Sequence, residues 1–329
     1  MGDIIKIFES LGAKLSQLGA TESGREIISL AIAQNPWFTE QDINRAVRAI
    51  CLQMLDGQKL QQWLSKYKSV ATPQRVAIIM AGNIPLVGFF DLLCVLCSGH
   101  EAHIKPSSKD KVLMHYVVDL LREIEPQIPI FNYNATESYD MVIATGGDDA
   151  NRFFESHFAN TRHLLRGSRH SVAVLDGTET DEELNLLLED ITAYSGLGCR
   201  SVSMIFAPEG YEIRFPQSEA LNPKLRRNVA SMRALYTMQG KSHHDAGAFI
   251  VTEEKTFPSS LALVSLQRYS DIADVKEWLA TNCDNIQCVV SHCQIEGCVG
   301  FGEAQYPTLW NYADNIDTML FLGQERCDV

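Results

Sequence analysis

At 329 residues the chain exceeds what one small core needs and most economically forms two domains. Its 46% hydrophobic and 21% charged residues are those of an ordinary soluble globular protein, and a net charge of -13 argues against nucleic acid or an anionic membrane as the main partner. Nine cysteines, an odd number with no secretory leader, point to a reducing, cytoplasmic compartment rather than a disulfide framework.

In chain order, Ile4, Ile5, Phe8, Leu11, Leu15 and Leu18 predict an amphipathic N-terminal helix. Ile43, Val47, Ile50 and Met54, then Leu60, Trp63 and Leu64, continue helical spacing to about residue 70. The apolar stretch Val76 to Cys97 is long enough to span a bilayer, but Asn83, Pro85, Gly88 and Asp91 interrupt it. It therefore predicts strand, loop and helix, and no integral membrane segment. From Arg75 onward, short β-rich runs alternate with helices: Val76–Met80, a helix from about Leu86, Glu101–Ile104, a helix over Asp110–Ile124, Ile128–Phe131, Tyr139–Ala144, a helix through Asn151–His157, and Ser171–Leu175. That alternation predicts a parallel sheet with right-handed crossovers. A helix over Thr180–Tyr194 then precedes strands at Ser203–Phe206, Ala248–Val251, Leu261–Val264 and Cys288–Val290, with a helix at Ile272–Ala280. The expected division is 1–176 for N-terminal helices plus a dinucleotide-binding domain, 177–305 for a catalytic domain, and 306–329 for a tail that packs back or oligomerises.

Open α/β sheets bind ligands beyond the carboxyl ends of their strands. Three unusual loops fall there: Gly82-Asn83-Ile84-Pro85, Lys105-Pro106-Ser107-Ser108 and Thr145-Gly146-Gly147. The Asn83 amide can donate to an oxyanion, Lys105 can meet ribose hydroxyls or a phosphate, and Ser107 and Ser108 can donate hydrogen bonds. Gly146 and Gly147 let the backbone approach a pyrophosphate at a helix N-terminus, although a plain βα turn uses the same glycines. Cys199 sits in Gly196-Leu197-Gly198-Cys199-Arg200, where a glycine turn leaves a thiol open to substrate, as a nucleophile needs. The basic run Arg162 to His170 suits a phosphorylated ligand or a solvated face equally well. Cys94, Cys97 and His100 lie in an apolar helix without a second pair at zinc spacing and read as core. Cys283, Cys288, Cys293 and Cys298 recur every five residues, which fits neither zinc spacing nor a helix face, so no metal is expected.

Taken in order, Gly82-Asn83-Ile84-Pro85, Lys105-Pro106-Ser107, Thr145-Gly146-Gly147 and Gly196-Leu197-Gly198-Cys199 resemble the aldehyde dehydrogenase superfamily. Arg169 to Gly177, Gly198 to Ser203 and Gly302 to Asp314 narrow the resemblance to the LuxC-type acyl-CoA reductases, over about Val76 to Leu322. The resemblance implies an α/β fold of two parallel-sheet domains behind the N-terminal helical segment, binding a nicotinamide dinucleotide without the usual glycine fingerprint. On it, Cys199 is the nucleophile and Asn83 shares the oxyanion with the Cys199 backbone N–H. Lys105 binds near the adenosine ribose, and Gly146 and Gly147 lie near the pyrophosphate. The implied reaction is NADPH-dependent reduction of a fatty acyl-CoA, or another acyl thioester, to the aldehyde through a Cys199 acyl-enzyme, in a homo-oligomer. The alternatives are a CoA-acylating aldehyde dehydrogenase on short aldehydes and an acyl-carrying subunit without reductase activity.

Two departures bear on the chemistry. Hydrolytic relatives carry a water-activating glutamate just before the glycine matching Gly167, where this chain has Leu164, Leu165 and Arg166, which favours reduction over release of free acid. Ser108 stands where NAD-preferring relatives often have a glutamate, so with Lys105 and Lys109 nearby NADPH is expected over NADH.

Overall fold

A computed structural model describes residues 2–68 and 70–323, so positions 324–329 of the predicted tail lie outside the described residues. The chain divides into two units, residues 1–168 with 307–329, and residues 169–306.

The first unit opens with helices α1 (Gly2–Leu15), α2 (Glu22–Gln34), α3 (Glu40–Gln53) and α4 (Gly57–Leu64). Thr21, Thr39 and Asp56 cap α2 to α4, each accepting a first-turn backbone N–H. On α1, Phe8, Leu11 and Leu15 are fully buried, so the predicted apolar stripe is the face that enters the core. Then follow β1 (Arg75–Ile79), α5 (Phe89–Ser98), β2 (Glu101–Lys105), α6 (Lys111–Ile124), β3 (Ile130–Asn132), β4 (Met141–Thr145), α7 (Asp148–His157) and β5 (Arg162–Arg166). The strands form one parallel sheet in the order β3-β2-β1-β4-β5. Val76 and Ile78 face a large core with the N-terminal helices, while Ala77, Ile79, Val142, Ala144 and Phe158 build a smaller one on the other face. Burial on both faces explains why these strands read as unbroken apolar runs.

The second unit holds β6 (His170–Val174), α8 (Asp181–Thr192), β7 (Val202–Pro208), α9 (Pro223–Met238), β8 (His244–Asp245), β9 (Ile250–Thr252), β10 (Leu263–Tyr269), α10 (Ile272–Thr281) and β11 (Ile286–Val290). Its sheet runs β11-β6-β7-β10-β9-β8, parallel except for β8 against β9. The sequence division fell after Asp176, but β6 pairs with β7 and β11, which carries it into this unit from Arg169 onward.

Residues 307–323 belong to the first unit. Leu309, Tyr312, Met319 and Leu322 fill its larger core, Met319 from within α11 (Thr318–Phe321) and Leu322 from its C-cap. Trp63 Nε1 donates to Tyr312 Oη at 2.7 Å, and Tyr67 Oη donates to Asp317 Oδ2 at 2.8 Å.

Candidate active site

In the first unit, Ile79 lies opposite Lys105 on one side and Ala144 on the other, so the loops after β1, β2 and β4 leave the sheet side by side. From β1 the chain moves outward through β2 and β3 and returns to β4, which makes the β1–β4 edge the switch point where such sheets bind ligands. A side chain at Gly82 would come within 2.7 Å of Ser107, so glycine there lets the Asn83 loop lie directly on the Ser107 loop. Asn83 is half-buried, whereas Lys105 and Ser108 are exposed, with Lys105 Nζ 5.6 Å from the centre of the Tyr133 ring. Gly147 is exposed, and a Cβ there would meet nothing within 4 Å. Asp148 and Asp149 occupy the first turn of α7, however, and already offset its positive end. A pyrophosphate at this turn would be held by backbone N–H groups without that help.

Asp110, which sequence reasoning missed, fixes the Asn83 loop. Its Oδ2 accepts the Leu86 N–H at 2.8 Å, holding Leu86 at φ 57°, where a leucine is rarely found. Asn35 Nδ2 anchors the other side through the Gly82 carbonyl at 3.4 Å. Burial pushes the Asp110 carboxyl well above the ordinary carboxylate range, outweighing the Leu86 N–H that opposes the shift. The folded protein therefore keeps a proton that the unfolded chain gives up near pH 3.8. Stability from this group is full at low pH and falls as pH rises towards the folded value. Asp110→Asn keeps the acceptor and removes the titration. In urea melts it should gain on the wild type between about pH 5 and pH 8, whereas Asp110→Ala should lose about 1–3 kcal/mol. Parallel pH profiles for Asp110→Asn and the wild type would rule this account out.

Cys199 lies in the second unit, half-buried, in the turn between α8 and β7. Tyr194, Ser195 and Gly196 take φ of 53°, 57° and 74°, and these three successive left-handed residues reverse the chain after the helix. Ser171 Oγ, at the start of β6, donates to the Cys199 carbonyl at 2.9 Å. Arg200 Nε donates to the Ala304 carbonyl at 2.6 Å, and Nη2 reaches Cys288 Sγ at 3.7 Å. Asp190 of α8, fully buried, accepts the Gly302 N–H at 2.7 Å and the Ala304 N–H at 3.2 Å. The turn is thus tied on both sides, and the thiol is carried at the edge where the parallel strands β6 and β7 begin. Holding a reactive group in this way keeps it in one geometry.

Arg166 and His170 of the basic run, and the Cys94, Cys97 and His100 group, have structural roles of their own. Arg166, from the basic run, is buried in β5 and pairs with Asp91 at 2.6 Å and Thr318 Oγ1 at 2.8 Å, which commits it to the core rather than to a phosphate. Cys94 and Cys97 are buried in α5, and His100 accepts the Gln74 N–H while its other nitrogen meets the Leu322 carbonyl. His170 stacks on Phe257 at 4.2 Å and, by strand alternation, points to the face opposite Ser171. His243 sits at the carboxyl end of β9, lining a cavity of about 740 Å³ with Arg214, Tyr236, Lys241 and Arg268. None of that cavity's lining comes from the Cys199 turn.

The family model for acyl-CoA reductase (LuxC) matches residues 37–242, more than half of the chain. The chain belongs to the acyl-CoA reductase (LuxC) family. A curated relative, long-chain acyl-protein thioester reductase 2 of Photobacterium leiognathi, is 26% identical over 146 residues, covering 39% of this chain. The match spans only 30% of that relative's length. Among solved structures, an aldehyde dehydrogenase from Burkholderia cenocepacia superposes with a TM-score of 0.62 at 12% identity, over 89% of this chain and 74% of its own. An indole-3-acetaldehyde dehydrogenase solved with NAD+ gives 0.62 at 13% identity, over 89% and 72%. The fold is therefore that of the aldehyde dehydrogenases, as the resemblance implied, and the family is one of reductases. Among the described residues no helix is long and apolar enough to cross a membrane.

Proposed function

We propose that this chain reduces an acyl thioester to the aldehyde, with Cys199 carrying the acyl group between two half-reactions. The observation that carries the reading is the Cys199 turn, where Ser171 holds the backbone carbonyl of the half-buried Cys199, while Arg200 and Asp190 hold the neighbouring Ala304 backbone. The Cys199 thiolate attacks the thioester carbonyl carbon, the carbon–sulfur bond to the donor breaks, and the donor thiol leaves with the proton that Cys199 gave up. Asn83 and the Cys199 backbone N–H are the proposed oxyanion donors. The stretch where hydrolytic relatives carry that glutamate is Leu164, Leu165 and Arg166 here, and Arg166 is locked to Asp91, so the stretch supplies no base for water. When bound, a reduced nicotinamide dinucleotide would supply the hydride that, with a proton from solvent, turns the Cys199 thioester into a thiohemiacetal. Collapse of that adduct frees aldehyde and restores the Cys199 thiol.

Intact mass spectrometry after exposure to a series of acyl-CoA lengths tests the reading. One acyl group should be gained and then lost as aldehyde on adding NADPH. Protein that takes the label but never consumes NADPH would instead be an acyl carrier. The relative's name supports a protein-bound thioester as a second donor class. Removing one oxyanion donor typically costs about a hundred- to a thousandfold in rate. Asn83→Ala should show that loss in the acylation rate constant, and an unchanged rate would remove Asn83 from the role.

The end of β2 supports NADPH. Lys105, Ser108 and Lys109 are exposed there, where dinucleotide folds place the residue that reads the adenosine ribose. Asp110, the nearest acid, is buried and faces Leu86. A 2′-phosphate therefore meets cations and a hydroxyl rather than a carboxylate. The expected kcat/KM ratio favours NADPH over NADH by about tenfold or more, the worth of one charge-assisted hydrogen bond. Ser108→Glu should reverse it, and equal efficiencies in the wild type would refute the assignment. A cytoplasmic homo-oligomer completes the proposal.

A further inference from the structure

At the carboxyl edge of the second sheet, β6 runs on to Asp176 and β11 runs on to His292 and Cys293. The two strand ends are tied together by Ser291 Oγ, which donates to the Val174 carbonyl at 2.7 Å and accepts the Cys293 N–H at 3.0 Å. A carboxylate oxygen of Asp176, an imidazole nitrogen of His292 and the Cys293 sulfur all lie within 4.8 Å of one another. We propose that these three side chains form a binding site for a zinc-class divalent cation.

The orientation of the imidazole is the strongest argument. Glu183 sits in the first turn of α8, where its Oε2 accepts the Thr180 N–H and hydroxyl as part of the helix cap. Its Oε1 faces His292 Nδ1 at 2.8 Å. That contact places the ring proton on Nδ1 and turns Nε2 towards Asp176 Oδ1 at 3.1 Å, the carboxylate–histidine arrangement that orients metal-bound imidazoles. Tetrahedral zinc with bonds of about 2.0–2.3 Å sets its ligand atoms roughly 3.3–3.7 Å apart, so the cluster need contract only slightly.

Charge points the same way. Glu179, whose side chain is fully buried, lies 3.6 Å from His292 Nε2 while its oxygens accept the Asp176 and Gly177 N–H groups. Three carboxylates thus surround one imidazole, and the described ion pairs of Asp176, Glu179 and Glu183 are all with His292. Even a protonated imidazole leaves two negative charges in excess, which a divalent cation neutralises. The donor set of nitrogen, sulfur and oxygen suits zinc better than calcium or magnesium, which take oxygen. With three protein ligands, and Asp176 and His292 both reachable by solvent, the fourth position is left to water.

This site is separate from Cys199. Ser171, which holds the Cys199 carbonyl, is at the start of β6, and Asp176 is five residues further along the extended chain, about 16 Å away at 3.3 Å per residue.

Cobalt(II) titration of the full-length, chelator-treated protein tests the proposal. One equivalent should give the near-ultraviolet absorption of thiolate-to-cobalt charge transfer together with the visible bands of four-coordinate cobalt, and zinc should displace both. Cys293→Ser should lose the charge-transfer band, Asp176→Asn should weaken binding, and Cys199→Ser should behave as the wild type. Glu183→Gln should weaken zinc affinity by about 10–100-fold. Absence of a one-to-one cobalt complex, or a charge-transfer band that survives Cys293→Ser, overturns the site. Loss of that band in Cys199→Ser also overturns it, by assigning the metal to the other cysteine. Far-ultraviolet circular dichroism of each variant separates lost ligands from lost fold.

Discussion

Cys199→Ser protein exposed to an acyl-CoA gains no acyl mass on the timescale of the wild type, with a rate lower by roughly three orders of magnitude or more. A serine hydroxyl is almost wholly protonated at neutral pH, whereas a few per cent of an ordinary thiol is ionised and sulfur is the better nucleophile. Ser171 bonds the backbone carbonyl of residue 199 and Arg200 bonds the Ala304 carbonyl, so these two ties persist when the sulfur is replaced. Loss of labelling therefore reports chemistry rather than collapse. Cys288 is the natural control, because burial raises its thiol, against the lowering effect of Arg200, and leaves it a poor nucleophile. Cys288→Ala should label normally. Peptide mapping that finds the acyl group on any residue other than Cys199 would end the proposed mechanism.

Asp91→Ala should lose about 3–5 kcal/mol of stability, because it strands the Arg166 guanidinium in the core of the first unit. Both residues are only 4% exposed, and beyond Asp91 the arginine also donates to the hydroxyl of Thr318. Burial lowers the Arg166 pKa, but Asp91 more than compensates and the net shift is upward, so loss of the carboxylate leaves a cation with no way to discharge. The pair as a whole should be worth much less than this. Asp91→Leu with Arg166→Met removes both charges and should recover most of the loss. Chemical denaturation of the two single variants and the double variant measures the coupling. A single-variant cost below about 1 kcal/mol, the value for an exposed pair, would mean that the carboxylate is hydrated rather than buried.

The strand–helix alternation was readable because β1 and β4 are covered on both faces and so appear as apolar runs. β5 was not, since Arg162, His163 and Arg166 hide a strand whose buried charge is neutralised by Asp91, 75 residues away. β6 was recognised as a strand but grouped with the wrong sheet, because alternation along a chain carries no record of which neighbour a strand pairs with. α9 went unnoticed, since only Leu225, Val229 and Tyr236 of its residues are buried and its apolar stripe is thin. In the candidate site, Cys199, Asn83 and Lys105 were visible through the glycines and prolines beside them. Ser171, Asp190 and Asp110 were not, because each acts across a gap of 24 to 114 residues through one or two hydrogen bonds. His292 adjoins Cys293 in sequence, but its partners Asp176 and Glu183 are more than 100 residues away, so ligand spacing could not reveal the cluster.

The first unit is interrupted: the chain leaves it at Ser168 and re-enters at Pro307. The bond between Trp63 and Tyr312 joins residues 249 positions apart, and Thr318 completes the shell around Arg166. A ribosome making this protein from its amino terminus releases the first sheet early, with a cleft where Leu309, Tyr312, Met319 and Leu322 will sit. The whole second sheet must be synthesised before that cleft can close. Until then the apolar sides of α4 and α5 stand open to solvent, so the half-made chain is at its most aggregation-prone just when its first sheet is already formed.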